Sequence, residues 1–419
     1  MLALLFLLIT LAGLVASFLG LRAPRQPQPL VAATFLPSLV FSEWAPQIFV
    51  LHVVTIGALT PWAVGHTLSR IGLAAAALTA FALVWLTARQ AKAWRARPGL
   101  TGPQPTALQR WTAVPIRPRD VEVVRNVTFA ERDGRPLRLD ILRSRSEPPT
   151  NAPVLLQVHG GAWVIGRKED QALPLMHLMA RRGWVCVSID YRLSPKATFP
   201  DHIVDVKEAI AWVKANIAEH GGDPSRLVIT GGSAGGHLAT LASLTPGLDQ
   251  PGFEDADTAV AGCASMYGVY DFTDRQGHWK GRRLDELLAI RVMKIAMADA
   301  RDRYEAASPM SVATHAAPPF LLVQGTADTL VPPVEAKAFA DVLRGVSRRP
   351  VTLLEVPHAQ HAFDLLASLR TRAVLQHVVA FCEGLVGATT SSAGAPERLA
   401  VVAGGDAELA SDVQPEVGR

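Results

Sequence analysis

With 419 residues, 49% of them hydrophobic and only 19% charged, the chain is too long for a disulfide-stapled miniprotein and too apolar for a disordered one. The formal net charge of +4 is uneven: residues 1–100 hold seven Arg or Lys against Glu43 alone, so the rest carries a small negative surplus. Those bases flank apolar runs instead of forming one basic face, so nucleic acid is not an expected partner, and three scattered cysteines, Cys186, Cys263 and Cys382, exclude a disulfide framework and a thiolate zinc site and suit a reducing compartment.

The first segment, Met1 to Leu21, contains no ionisable side chain. At 1.5 Å per residue it can cross a hydrocarbon layer of about 30 Å. It lacks the basic n-region and small-x-small site of a signal peptide, so it is read as a retained span. Two further apolar stretches run from about Gln47 to Trp62 and from Ile71 to Thr87, while Leu30 to Phe41, with Pro37 and the nearby Glu43, suggests a re-entrant or interfacial piece. The heaviest basic flank, Arg89, Lys92, Arg95 and Arg97, follows the third stretch. Three crossings and the positive-inside rule therefore predict a multi-pass protein of the cell membrane, with the N-terminus outside and everything after about residue 88 in the cytoplasm.

The expected organisation is a transmembrane region over 1–90, a basic Pro-containing linker over 91–120, a folded α/β domain over 121–386 and a disordered tail over 387–419. From Val121, short β-rich runs alternate with helical patterns, an α/β texture. Strands are predicted at 121–129, 137–142, 154–158, 184–189, 227–230, 260–267, 320–324 and 351–356, enough for one eight-stranded sheet. After Asp201, the residues Ile203, Val206, Ile210, Val213 and Ile217 form one apolar helical stripe that stops at Gly221.

The sharpest chemical feature is Gly231-Gly232-Ser233-Ala234-Gly235-Gly236, set between a predicted strand and a predicted helix. A GxSxG turn in that context holds the serine in a strained backbone conformation and presents its hydroxyl above the sheet edge. Ser233 also occupies the middle glycine position of a dinucleotide fingerprint, which excludes that motif. Upstream, His159-Gly160-Gly161-Ala162-Trp163 ends another strand. Its small residues can aim backbone N–H groups at a developing oxyanion, with Ala234 supplying another donor. His159 is read as a structural residue that orients this loop.

A serine hydroxyl needs an imidazole base and a carboxylate to hold that imidazole. In the order nucleophile, acid, base, Asp328 follows the strand at 320–324, with Asp271 and Asp274 in reserve; the base is His361 or His358, which position alone does not separate.

On these motifs, together with Asp190-Tyr191-Arg192-Leu193-Ser194-Pro195, Gly222-Asp223-Pro224 and His361-Ala362-Phe363-Asp364, residues 121–385 resemble the hormone-sensitive-lipase-like branch of α/β-hydrolase carboxylesterases. The likeness is greatest to the membrane-anchored mycobacterial-type esterase/lipases. The resemblance implies an α/β-hydrolase fold, a mostly parallel eight-stranded sheet with helices on both faces, preceded by the transmembrane helical segment. It selects His361 over His358, implies Ser233, Asp328 and His361 as the triad, and places Gly160, Gly161, Ala162 and Ala234 around the oxyanion hole. Ala162 stands where many members have a third glycine, and Gly232 where many have aspartate.

The expected activity is hydrolysis of small-molecule or lipid-like acyl esters at a bilayer, with no metal or other cofactor. An amidase or peptidase using the same triad, and a silent hydrolase fold acting as a membrane scaffold, are the alternatives. Branch members often carry a helical cap before the sheet; here that stretch reads as membrane segment, so residues 268–310, with their apolar run from Leu284 to Met297, are the candidate acyl-pocket wall, an ordinary peripheral helix being the other reading.

Overall fold

The computed structural model describes residues 2–25, 28–63, 65, 67–95, 111–112, 114–132 and 134–388. The expected tail from 389 onward, and most of the expected linker, lie outside these residues. Helix through Ala388 takes up the first two tail positions.

Eight strands form one sheet: β1 (Val121–Arg132), β2 (Arg135–Ser144), β3 (Ala152–Val158), β4 (Val185–Ile189), β5 (Gly222–Gly232), β6 (Gly262–Met266), β7 (Phe320–Gly325) and β8 (Val351–Val356). Their order is β1-β2-β4-β3-β5-β6-β7-β8. The β1/β2 and β2/β4 pairs are antiparallel and the remainder parallel. All eight sequence-predicted strands are present. The largest difference is β5, which starts at Gly222 because the chain already pairs there with Ala152, across an irregularity before Val154.

The central strands are apolar throughout because both faces are covered. Period-2 alternation sends Val154, Leu156 and Val158 of β3 into one core and Leu155 into the other. The first core is closed by α6 (Asp201–Asn216), α7 (Ala234–Leu244) and α8 (Pro333–Val346), through residues such as Ile203, Leu238 and Phe339. The second is closed by α5 (Leu173–Arg181) and α9 (Leu369–Ala388), through Met176, Val374 and Val378. The Asp201 helix carries the predicted stripe fully buried and passes through a 3-10 turn to Gly221, where φ is 84°.

Ahead of the sheet lie α1 (Leu2–Leu21), α2 (Gln28–Glu43), α3 (Ala45–Ala63) and α4 (Thr67–Arg95). Among the described residues, α1 and α4 are each long and apolar enough to cross a membrane; α2 and α3 meet the same test only as a pair, bent by 89°. Leu39 of α2 sits in the second hydrolase core, with Phe35 packed against it. The helical hairpin is thus built into the domain that follows.

Within the segment over 268–310, Leu284, Leu288, Val292 and Met293 are buried in the first core, and Phe199 donates its N–H to Val292 O at 2.9 Å. On the other side of the sheet end, Phe35 of α2 lies with its ring 6.4 Å from that of His361.

Candidate active site

Strain marks the site before chemistry does. Non-glycine residues with positive φ include Ala162 (53°), Trp163 (60°), Ser233 (58°), Tyr267 (39°), His358 (59°) and Ala362 (56°). All six belong to the loops at the carboxyl ends of β3, β5, β6 and β8, where an open α/β sheet forms its crevice. Such conformations persist only where the surroundings over-determine them.

Ser233 is the sharp bend between β5 and α7, with φ 58° and ψ −121°. Its N–H donates to Met266 O at 2.9 Å and its carbonyl accepts from His237 N–H at 2.9 Å, so both neighbouring elements fix the turn. The side chain is half-buried, as a group that must meet substrate requires.

The His159–Trp163 loop passes directly over this serine: a Cβ at Gly160 would lie 3.1 Å from Ser233 Cβ. Gly161 takes φ 123°, and a Cβ there would fall 2.0 Å from Ile165 O, so only glycine fits. The loop is held from below by His237 on α7, whose Nδ1 accepts from Trp163 Nε1–H at 3.2 Å while Nε2–H donates to Ala307 O at 2.8 Å. Burial lowers the His237 pKa to about 3, so the ring is neutral and can do both.

His159 faces Gly160 O through Nδ1 at 2.8 Å and stacks on Tyr191 at 4.4 Å, and burial pushes its pKa down; it orients the loop. Gly160 N–H is given to Gln171 Oε1 at 2.7 Å, so of the four residues expected around the oxyanion hole Gly160 has its N–H engaged within the protein.

Asp328 leaves β7 on a tight loop and is fully buried. Its Oδ1 accepts from the N–H groups of Leu330 (2.9 Å) and Val331 (2.8 Å). Its Oδ2 accepts from Gln324 Nε2 at 3.0 Å and faces His361 Nδ1 at 2.8 Å. The carboxylate is therefore locked in place, and the imidazole turns Nε2 away from it.

His358 is exposed, and its backbone N–H donates to Thr326 Oγ1 at 2.8 Å. Asp271 serves the turn after β6: it accepts from Thr273 N–H at 3.0 Å and pairs with Arg275 at 3.1 Å, and Asp274 caps Trp279 N–H at 3.1 Å. The geometry separates both reserve sets from the buried Asp328–His361 pair.

Three contributors escaped the sequence. Tyr267, at the end of β6, lies edge-on to the His361 ring with centroids 4.7 Å apart. Its hydroxyl donates in a short bond to Asp364 Oδ1. It also explains Gly232, since a Cβ there would meet the Tyr267 hydroxyl oxygen at 2.7 Å. Burial and the neighbouring Asp364 carboxylate raise the phenol pKa, so it stays protonated. Gln171 and Gln360 are the other two. Gln360 adjoins His361 in the chain, the one clue available beforehand. Among the described residues, no three His, Cys, Asp or Glu side chains gather as a metal-binding set.

Comparison with known proteins agrees with this architecture. The family described as BD-FAE matches residues 139–343. The chain is 51% identical over 240 residues to the probable carboxylic ester hydrolase LipM of Mycobacterium tuberculosis, a match covering 57% of this chain and 56% of that protein. It is 38% identical over 284 residues to esterase LipC of the same organism, covering 65% of this chain and 70% of LipC. The chain thus spans little more than half the length of LipM. Among solved structures it is similar to the esterase Est2 of Thermogutta terrifontis, with a TM-score of 0.54 and 25% identity, covering 64% of this chain and 93% of that one. Sheet order, strained elbow and kinship together make this chain a member of the hormone-sensitive-lipase-like esterase family of α/β-hydrolases.

Proposed function

We propose that the protein is a membrane-anchored serine carboxylesterase in which Ser233, His361 and Asp328 act as a triad. The observation that carries this reading is the buried contact of 2.8 Å between His361 Nδ1 and Asp328 Oδ2, at the same sheet end as the strained Ser233. In the reaction, Ser233 Oγ attacks the ester carbonyl while His361 Nε2 takes its proton. Asp328 holds the resulting imidazolium in the right orientation. The carbonyl oxygen becomes an oxyanion facing the N–H groups of Gly161, Ala162 and Ala234, each such donor being worth about 3 kcal/mol. The imidazolium then returns its proton to the leaving alkoxide, and water, deprotonated by His361, cleaves the acyl-enzyme.

The anchor is formed by α1 and α4, with the bent α2–α3 pair as a re-entrant or broken span. Large apolar side chains on these helices, among them Leu8, Leu51, Val54 and Phe81, face outward, as lipid contact requires. Arg89, Lys92 and Arg95 at the end of α4 put the hydrolase domain on the cytoplasmic side. An acyl ester with a lipid-like chain is the substrate class this placement favours.

The test is hydrolysis of a p-nitrophenyl acyl series by the full chain in detergent micelles. Wild-type protein should turn over esters and take up a fluorophosphonate label at Ser233. Ser233→Ala should lose at least about 10³-fold in kcat and all labelling. Equal rates for the two proteins would refute the assignment.

A further inference from the structure

The acid and base loops leave neighbouring parallel strands, and little backbone joins them. Thr326 N–H donates to Val356 O and Ala327 N–H to Ala359 O, both at 3.0 Å. Thr326 Oγ1 also accepts from His358 N–H at 2.8 Å, and His361 Nδ1 meets Asp328 Oδ2 at 2.8 Å. The side chain that bonds the backbone of both loops is Gln360. Gln360 is buried. Its Oε1 accepts from the N–H of Thr329 (2.8 Å), the hydroxyl of Thr329 (3.1 Å) and the N–H of His361 (2.8 Å). It therefore grips the residue after Asp328 and the backbone of His361 at once.

The amide's other end points out of the hydrolase domain. Gln360 Nε2 donates to Ser38 Oγ of α2 at 3.1 Å, and Ser38 donates in turn to Phe35 O at 2.8 Å. The Phe35 ring lies 6.4 Å from the His361 ring. Just before α2, Arg25 Nη2 donates to Thr326 O on the acid loop at 3.1 Å. At the far end of α2, Glu43 is buried against Arg370 in a short ion pair and accepts from Ser368 Oγ at 2.6 Å. Two of these three fastenings fall within two residues of Asp328 or His361, which is more than holding a tether in place would call for.

We propose that α2 is a working part of the catalytic centre, with Gln360 as the positioning residue through which it holds the acid and base loops in register. The inference rests on the roles given above to Asp328 and His361. Without the Ser38 bond the Gln360 amide can rotate away from its two N–H partners, and His361 then samples orientations in which Nε2 misses the serine. A displacement of about 1 Å at such a site can cost a hundredfold in rate.

The experiment uses the full chain in micelles with one p-nitrophenyl ester. Gln360→Ala should lower kcat about tenfold or more with KM nearly unchanged, and Ser38→Ala about threefold. The double variant should be no worse than Gln360→Ala alone, because both act through one link. The acid limb of the kcat/KM profile should move in Gln360→Ala, since a loosened Asp328 no longer supports the imidazolium to the same degree.

Wild-type kcat in Ser38→Ala, or fully additive losses in the double variant, would overturn the proposal. So would a loss in Gln360→Ala that merely follows the folded fraction, measured by thermal melting, with the pH profile unmoved. Ser233→Ala is run alongside: if it stays active the triad itself fails, whereas an inactive Ser233→Ala beside wild-type Ser38→Ala sinks only the link to α2.

Discussion

The four N-terminal helices and the sheet domain pack by opposite rules. In the helices, many large apolar side chains, among them Leu8, Val54 and Phe81, point outward while Thr10, Ser17, Ser69 and Thr79 are buried. Thr10 and Thr79 bond back to the carbonyls of Phe6 (3.0 Å) and Ala75 (2.9 Å). In the sheet domain Val, Ile and Leu fill both cores and most ion pairs lie toward the surface. Water drives the second arrangement, because removing apolar surface from it is favourable. In the bilayer setting proposed above, hydrocarbon would give no such push between helices, and small residues and close contact would have to hold them. The two arrangements meet at α2.

That contrast can be broken hardest where the two regions join. Glu43 and Arg370 are both buried, and Arg370 also donates to Ser42 Oγ at 3.0 Å. Arg370→Met should destabilise the full chain by about 3–5 kcal/mol, because it leaves an uncompensated buried charge. Adding Glu43→Gln should recover more than half of the loss in thermal melting; no recovery would mean that the charge is not what costs.

A smaller effect sharpens the rule for the helices. A Cβ at Gly72 of α4 would lie 2.8 Å from the Phe6 ring of α1, whereas Gly57 has nothing within 4 Å. Gly72→Ala should cost about 1–3 kcal/mol by overpacking, and Gly57→Ala should be neutral or gain up to about 1 kcal/mol from helix propensity. Melting of both in the same micelles checks the pair, and equal behaviour would remove close packing as the cause.

The smallest effect belongs to the sheet domain alone. Burial lowers the pKa of His237 to about 3 and of His202 to about 4. Unfolded, each takes a proton near pH 6.5, so below that the unfolded chain binds protons the folded one refuses. The stabilisation is complete above about pH 7 and declines as pH falls from 6.5 toward 4, by on the order of 1 kcal/mol or less for each histidine between pH 7 and 6. Melting temperatures across pH 8 to 4.5 should therefore show a plateau and then a fall; a flat curve would contradict neutral buried imidazoles.

Much of this was legible beforehand. The strands declare themselves because each central one is apolar on both faces, and the elbow because glycines crowd a serine between strand and helix. Chain order favoured Asp328 over Asp271 and Asp274, and Asp328 is the one of these that meets His361, at 2.8 Å. What stayed hidden was contact between distant segments. Nothing in Leu30 to Phe41 says that Ser38 meets Gln360, 322 residues away, so α2 reads only as an apolar piece beside a membrane. Likewise, the Gly160 N–H reads as a free donor until Gln171 is seen to occupy it. The apolar run over 284–297 fits a pocket wall or a core equally well by composition, and its contact with Phe199 could not be read from spacing.

Tyr267 and Gly232 also constrain how this sequence can change. The resemblance implies aspartate before the serine in many members of the branch, yet here the phenol already fills the volume that such a side chain would enter. Neither position can be exchanged first: aspartate beside the tyrosine collides, and a smaller residue beside the glycine opens a void against the His361 ring. An acidic residue at position 232 is therefore expected to need a smaller residue at position 267 beside it.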